Sequence, residues 1–410
     1  MRRGGARAAV GALSLTVRRD VDWPAQDLAA LDRLIEQRPH VGVFLSRPWL
    51  SGFFADPPAD EELSIVELRE DGVLRGLVPV SIRRSRRAVR IGLLGGGQGS
   101  DRVDLLAARG FESRFADMIL EWIDDELGAD GFILRLRDVP GDSPLWAGIR
   151  RAREREIVLV PREVNPLPYL SLHELNGGEA RDVWRNADSM AKHRRWLENR
   201  GALRVDIVED AGDAVAAFER MAEWVDARWG EHSATRHPRV ARFHRHVIPL
   251  LAAEGRLRMV RMVSDGRCVA VCYAVASRND GAHDGAKAGW WAYYLAGYDR
   301  AWAGRIHLGR VTVAATIDMA IREGAAEFDF LKGAEPYKYY WPVRDRVTID
   351  ADVYSSKAAA QLERAGRAGR ELAAALMKTT RNLWPRPPRA VNRERAAGDA
   401  RAHQPGARRG

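Results

Sequence analysis

At 410 residues and 46% apolar content the chain is globular and too long for one ordinary core, and no apolar run approaches the ~18 residues that cross a bilayer. Its net charge of +9, from 65 Lys or Arg against 56 Asp or Glu, sits in the tail: residues 356–410 hold 13 basic and 4 acidic residues, so residues 1–355 balance at 52 against 52. A neutral body excludes the basic face of a DNA-binding fold and leaves the tail as a solvated or anionic-surface-seeking appendage. In chain order, residues 1–13 read as a disordered start, basic and glycine-broken, without a signal-peptide core. Ser14–Arg19 alternates as a strand, and Pro24–Gln37 carries Leu28, Leu31, Leu34 and Ile35 at helical spacing. Arg47–Phe54 is a short apolar segment. Leu63–Glu70 and Leu74–Arg83 form a hairpin on Asp71-Gly72, and Val89–Leu94 is a further strand. Gly95–Ser100, GGGQGS, is a flexible turn with no lysine after it, so it is no Walker loop. Phe111–Leu127 and Pro144–Arg155 are helices around the strand Phe132–Leu136. Ile157–Leu172, with prolines at 161, 166 and 168, reads as an extended connection between domains.

The second half repeats this order. Arg181–Asn199 is a basic helical segment whose stripe Lys192–Arg195 is either a solvated face or a receptor for an anionic acceptor. Val205–Val208 is a strand, and Ala214–Arg228 and Val240–Ala253 are helices. Leu257–Val263 and Cys268–Ala276 form a hairpin on Asp265-Gly266. Trp290–Ala296 is a strand, Ile306–Glu323 a helix, Glu327–Leu331 a strand, and Val347–Tyr354 closes the sheet. Leu63, Val66, Asp71 and Gly72 superpose on Leu257, Val260, Asp265 and Gly266 at a constant offset, which points to two copies of one unit. Where the second copy has Asp329, Lys332, Gly333 and Glu335, the first has Ile133, Leu136, Arg137 and Val139, so the chemistry is expected in the second. Cys268 and Cys272, four apart on one strand, lie too far from each other for a disulfide and read as core thiols of a reducing, cytoplasmic compartment. His232, His237, His244 and His246 do not complete a zinc spacing, since His244 and His246 face different sides of a helix.

Glu327–Trp341, EFDFLKGAEPYKYYW, organises the rest. Alternation puts Phe328 and Phe330 on one face and Asp329 and Leu331 on the other, and a carboxylate inside a buried strand needs a partner. Lysine occurs at only six positions while the remaining basic residues are arginine, so Lys332 and Lys338, six apart, mark a need for the compact ammonium. This stretch resembles the signature of the CelD/BcsL-type, BioF2-like acyltransferases of the GNAT acetyltransferase superfamily. Asp329, Lys332, Gly333, Glu335, Tyr337, Lys338 and Trp341 fit it position by position, and the resemblance covers roughly residues 14–355.

The resemblance implies an α/β fold of mixed sheets, two tandem GNAT-like domains as in FemA/FemB-like transferases: a degenerate one at 14–165 and the acyltransferase at 166–355, followed by a basic helix and disordered tail at 356–410. It implies a sheet that splays between Trp290–Ala296 and Glu327–Leu331. It further implies acetyl-CoA or another acyl-CoA as co-substrate, with no metal, and direct attack of an acceptor amine on the thioester. Asp329 and Glu335 are then candidate bases, Tyr337 the candidate acid with Tyr339 and Tyr340 as substitutes, and Lys332 and Lys338 hold the acceptor or the carboxylates. A structural Asp329–Lys332 ion pair is the alternative. Trp290, Tyr294, Ala303, Gly304, Arg305, Ile306, His307, Leu308, Gly309 and Arg310 would contact the cofactor, with pyrophosphate on the helix N-terminus. Ala303 and Arg305 stand where the family has glycine and glycine or alanine. The implied acceptor is an amino sugar or other saccharide amine in polysaccharide or cell-envelope biosynthesis. An aminoacyl transferase using charged tRNA, and a non-catalytic assembly factor of a polysaccharide synthase, are the alternatives. The basic tail implies weak peripheral contact with the inner membrane face.

Overall fold

In the computed structural model the described residues are 12–85, 88–128, 131–152, 157–172, 192, 195–199, 203–277, 289–302, 306–358, 360, 361 and 365. Residues 1–359 form one unit and 360–410 a second. The expected disorder of residues 1–11 and of the tail falls outside the described residues.

The first half runs β1 (Leu13–Arg18), α1 (Ala25–Gln37), α2 (Arg47–Ala55), β2 (Glu62–Glu70), β3 (Val73–Arg84), β4 (Val89–Leu93), β5 (Leu106–Ala107), α3 (Glu112–Leu127), β6 (Phe132–Pro140), α4 (Pro144–Ala152) and β7 (Val158–Ser171). The second runs β8 (Leu203–Ile207), α5 (Ala211–Trp229), α6 (Pro238–Ala253), β9 (Leu257–Ser264), β10 (Arg267–Ala276), β11 (Gly289–Tyr298), α7 (Leu308–Arg322), β12 (Ala325–Asp329) and β13 (Arg344–Tyr354). Both hairpins turn as the Asp-Gly pairs require: Asp71 and Gly72 have φ of 48° and 82°, and Asp265 and Gly266 have 51° and 72°. That left-handed pair matches the twist of the flanking strands.

The strands form one sheet in the order β1-β2-β3-β4-β6-β13-β7-β12-β11-β10-β9-β8, with β5 beside β3. Each half contributes an antiparallel meander and one parallel pair, β4 with β6 and β11 with β12. The closing strands are exchanged. β7, from the first half, pairs with β12 of the second, and β13, from the second, pairs with β6 of the first. β7 and β13 then pair antiparallel along their length, from Arg344 opposite Tyr169 to Tyr354 opposite Val158.

Two expectations are corrected here. Ile157–Leu172 is no connector but an interior strand. Its prolines are tolerated because the ladder uses their carbonyls: Phe330 N–H donates to Pro168 O at 2.9 Å and Gly333 N–H to Pro166 O at 3.0 Å. Nor does the last strand close an edge, since β13 lies between β6 and β7 at the centre.

Helices cover both faces. Leu31, Leu34 and Ile35 of α1 pack with Ile65, Leu74 and Leu77, while α3 buries Phe115, Ile119 and Ile123 against Phe132 and Leu134 on the other side. In the second half Phe218, Met221, Val247 and Leu251 of α5 and α6 meet Trp290 and Leu331, joined by Phe44 and Trp49 of the first half. On the opposite face Val313 and Ile317 of α7 meet Phe328 and Phe330. The alternation read from the sequence thus holds: the phenylalanines face one side, and Leu331 the other. Cys268 and Cys272 are free thiols, and burial pushes Cys272 up to about 12.

Candidate active site

β11 and β12 pair in parallel from Gly289 opposite Ala325 to Ala292 opposite Asp329, and there the pairing stops while β11 continues to Tyr298. The sheet splays at the place the resemblance implies. On the other edge of β11 the register with β10 steps from Tyr273–Leu295 to Ala274–Tyr293, so Tyr294 is the extra residue of a bulge. A bulge frees a backbone position from the ladder and re-aims its side chain.

β12 leaves the splay through a tight turn. Leu331 adopts φ of 58° and Gly333 of 114°, the first unusual for a branched residue. Hydrogen bonds from two sources hold this backbone, and a steric limit keeps position 333 a glycine. Leu331 N–H donates to Asp329 Oδ1 at 2.8 Å. The buried Lys338 ammonium donates to the carbonyls of Lys332 at 2.6 Å, Leu331 at 3.2 Å and Gly333 at 3.3 Å, and it pairs with Glu335 at 2.9 Å. A Cβ at Gly333 would lie 2.5 Å from a Glu335 carboxylate oxygen. The compact ammonium fits here because it can donate in three directions at once.

Asp329 and Lys332 do not pair with each other; each reaches the first half. Fully buried Asp329 accepts from Arg102 Nη2 at 2.5 Å, with Arg346 Nη1 at 3.8 Å from the same oxygen. Lys332 Nζ donates to Asp138 Oδ1 at 2.6 Å. Burial opposes the Lys332 charge, but Asp138 outweighs it and raises the pKa above its ordinary value. The first half is therefore not silent, contrary to what its missing polar set suggested.

Asp101 is the residue that sequence reasoning missed. It follows the glycine-rich turn, whose Gly99 carbonyl accepts from Tyr294 Oη at 2.8 Å. Asp101 Oδ2 accepts the Lys332 backbone N–H at 3.1 Å, so it sits across the splay between Tyr294 and the turn after β12. Burial pushes its carboxyl up to about 6, Asp138 adds to the shift, and the N–H, Lys338 and Lys332 oppose it. Its signal was a carboxylate next to a glycine run, which no periodicity ties to a strand 231 residues away.

Tyr337 is half-buried and hydrogen-bonded to Tyr293; burial first, then the Glu335 charge, raises its pKa well above the usual phenol value. Tyr339 donates to Asp345 at 3.1 Å, and Tyr340 accepts from Arg310 Nη2 at 2.8 Å with the guanidinium 4.1 Å from its ring centre. His307 precedes α7, Ile306 and Leu308 are buried beside it, and Gly309 lets the Tyr298 ring approach, since a Cβ there would be 2.8 Å from it. Ala303, Gly304 and Arg305 lie outside the described residues. Trp290 is buried edge-on to His40 at 5.5 Å, away from α7.

His244 serves packing, and His237 caps α6 by accepting from the Arg239 N–H. His244 lies edge-on or tilted to Trp49, Phe218, Phe243, Tyr273 and Tyr294, and burial drives it down to about 3. His246 meets Ser51 Oγ at 3.1 Å on the surface. Among the described residues no group of three His, Cys, Asp or Glu could hold a metal ion, and no helix is long and apolar enough to cross a membrane. Of the basic stripe, Lys192 and Arg195 are exposed, and the remainder falls outside the described residues.

Residues 185–339 match the family model described as an acetyltransferase (GNAT) domain. No curated protein matches the chain. Among solved structures it is similar to FemX, at 10% identity and a TM-score of 0.53, covering 78% of this chain and 95% of that one. A tandem GNAT protein from the clavulanic acid biosynthesis pathway matches at 13% identity and 0.43, covering 83% and 98%. L-PGS from Bacillus licheniformis matches at 11% and 0.44, covering 80% and 91%. The chain is a transferase of GNAT fold, and its matched segment contains the splay, α7 and the Lys338 turn.

Proposed function

We propose that the protein moves an acyl group from an acyl-CoA to an acceptor amine at the splay between β11 and β12. The observation that carries this reading is the parting of the two parallel strands after Ala292 and Asp329, with a bulge at Tyr294, inside the segment that matches the acetyltransferase domain. The parted strands offer the thioester a slot with backbone N–H groups beside the developing oxyanion. The start of α7, around His307 to Gly309 with Arg310 beside it, suits the pyrophosphate, because the first turn of a helix and its dipole favour an anion there. When bound, the CoA supplies the activated acyl group.

The amine nitrogen attacks the thioester carbon, the C–S bond breaks, and the amine loses one proton while the thiolate gains one. Asp101 is the proposed base, directly or through water: ionised above about pH 6, it is poised for proton transfer near neutrality. Tyr337 is the proposed acid, since its raised pKa keeps the proton until a thiolate forms. Asp329, Lys332, Glu335 and Lys338 shape the turn that holds the splay open, each engaged by the partner described above. The acceptor proposed from the sequence is an amino sugar or polysaccharide precursor.

The test is to incubate the full chain with acetyl-CoA and a panel of amino sugars, following thiol release and the N-acetylated product by mass. Product from at least one sugar, lost in Tyr337→Phe, is expected. Thiol release that never depends on an amine contradicts amine transfer.

A further inference from the structure

Among the described residues four non-glycines have φ in the left-handed region, and of these Asp138, at 56°, lies inside a strand. The register of β6 with β13 steps there from Val139–Ile349 to Leu136–Ala351, so Arg137 and Asp138 stand opposite Asp350 alone. The first half thus has a bulge of its own. A bulge re-aims a side chain, and a strained residue persists only where its surroundings hold it. Here the Asp138 N–H donates to Asp350 Oδ1 at 2.8 Å, and the Asp138 carbonyl accepts from the Val103 N–H at 3.1 Å.

The re-aimed carboxylate is 2% exposed and joins two segments. Its Oδ2 accepts the Gly97 N–H at 2.8 Å, and its Oδ1 accepts from the Lys332 ammonium at 2.6 Å. Gly97 belongs to the glycine-rich turn, which lies close on the bulge: a Cβ at Gly96 would be 2.7 Å from Arg137 O. Lys332 belongs to the turn after β12. Asp101 stands between the two, following the glycine-rich turn and accepting the Lys332 backbone N–H at 3.1 Å. One carboxylate therefore holds both segments that place Asp101.

The charges give this clamp a second effect. Around Asp101, the Asp138 anion of β6 opposes ionisation, while Lys338 and Lys332 favour it. Tyr294 of β11 faces Asp101 as a neutral phenol, and the neighbouring Arg102 is engaged by Asp329. Asp350 of β13 also draws on the Lys332 ammonium. Lys332 thus turns its charge to Asp138. Without that partner the ammonium would be drawn to the carboxylate that already accepts its own backbone N–H. An ion pair there would favour the ionised form of Asp101 and make it a weaker base.

We propose that Asp138 is a positioning residue for proton transfer at the splay. It clamps the glycine-rich turn to the turn after β12 and keeps the Lys332 ammonium off Asp101. Asp138 itself touches no reacting atom. The inference rests on the reading of Asp101 as the base, and the test separates the two.

The carboxyl carbon resonance of Asp101, identified by its loss in Asp101→Asn, is titrated in the full chain, and thiol release from acetyl-CoA with D-glucosamine is followed against pH. Asparagine tolerates left-handed φ and still offers an oxygen to Gly97, so Asp138→Asn should keep the fold. In that variant Asp101 should titrate ~1 pH unit lower than in wild type, because a like charge is lost and a cation released. Lys332→Gln removes the cation and should move the titration up. Turnover in Asp138→Asn should fall roughly tenfold or more, with KM for acetyl-CoA nearly unchanged, as misplacing a base predicts. A merely structural Asp138 would lower the melting temperature and leave the Asp101 titration where it is, which overturns the proposal. Shifts of the same sign in both variants overturn it as well. Should Asp138→Asn fail to fold, Lys332→Gln decides alone, and an unchanged or lowered titration overturns the clamp. An acid limb that persists in Asp101→Asn overturns the base and not the clamp, which the carboxyl titration reads by itself.

Discussion

Asp101 and Lys338 show two uses of buried charge. The Asp101 carboxyl is raised from 3.8 to about 6, so the folded state holds its proton more tightly than the unfolded chain does. The sign follows: stability associated with that proton is present below pH 3.8 and is lost as pH rises to about 6. Asp101→Asn should therefore unfold no more easily than wild type at pH 8, yet lose ~10²-fold or more in turnover. Wild-type kcat/KM should rise with pH to a plateau with an acid limb near 6, and the limb should vanish in the variant. A persistent limb assigns the base elsewhere. Lys338 works oppositely, as a fixed cation whose donors hold three carbonyls, and Lys338→Met should cost about 3 kcal/mol in urea unfolding, the size of losing a charged donor from buried acceptors. The scarcity of lysine in the sequence pointed to this demand for ammonium. It could not point to Asp101, Arg102 or Asp138, because their partners lie across the halves and a single sequence carries no signal of such pairing.

Most elements were legible because their apolar periods and Asp-Gly turns are local. The boundaries of α3, β10 and α7 fall within two residues of their sequence reading, and both hairpins turn where the Asp-Gly pairs stand. The extended run of β7 was legible but its place inside the sheet was not: prolines argue against an interior strand, and here the carbonyls of Pro166 and Pro168 accept from the chain after β12. The bulge at Tyr294 was equally hidden, since one extra residue leaves no mark on so apolar a strand. The start of α7 carries an element-scale prediction. Arg310→Ala removes a cation from the first turn and should weaken acetyl-CoA about tenfold, ~1.4 kcal/mol, with the fold intact. Equal affinity in both proteins moves the pyrophosphate away from this helix.

The whole molecule is governed by the exchanged strands. β7 completes the second meander and β13 the first, so each half of the sheet depends on a strand from the other. We propose that the halves are two copies of one unit, with the splay kept active in the second. The repeat suggested such copies, but not their exchange, because spacing within each copy is the same whichever partner the closing strand takes. Heat or urea should give one cooperative transition by fluorescence and by circular dichroism; two separated transitions would mean that the halves fold independently. The central claim, an acyl-CoA slot at the splay, is tested most directly by calorimetric titration of the full chain with acetyl-CoA. Saturable binding near one site per chain at micromolar concentration is the predicted result. The absence of heat from a folded protein, at several temperatures, would contradict it.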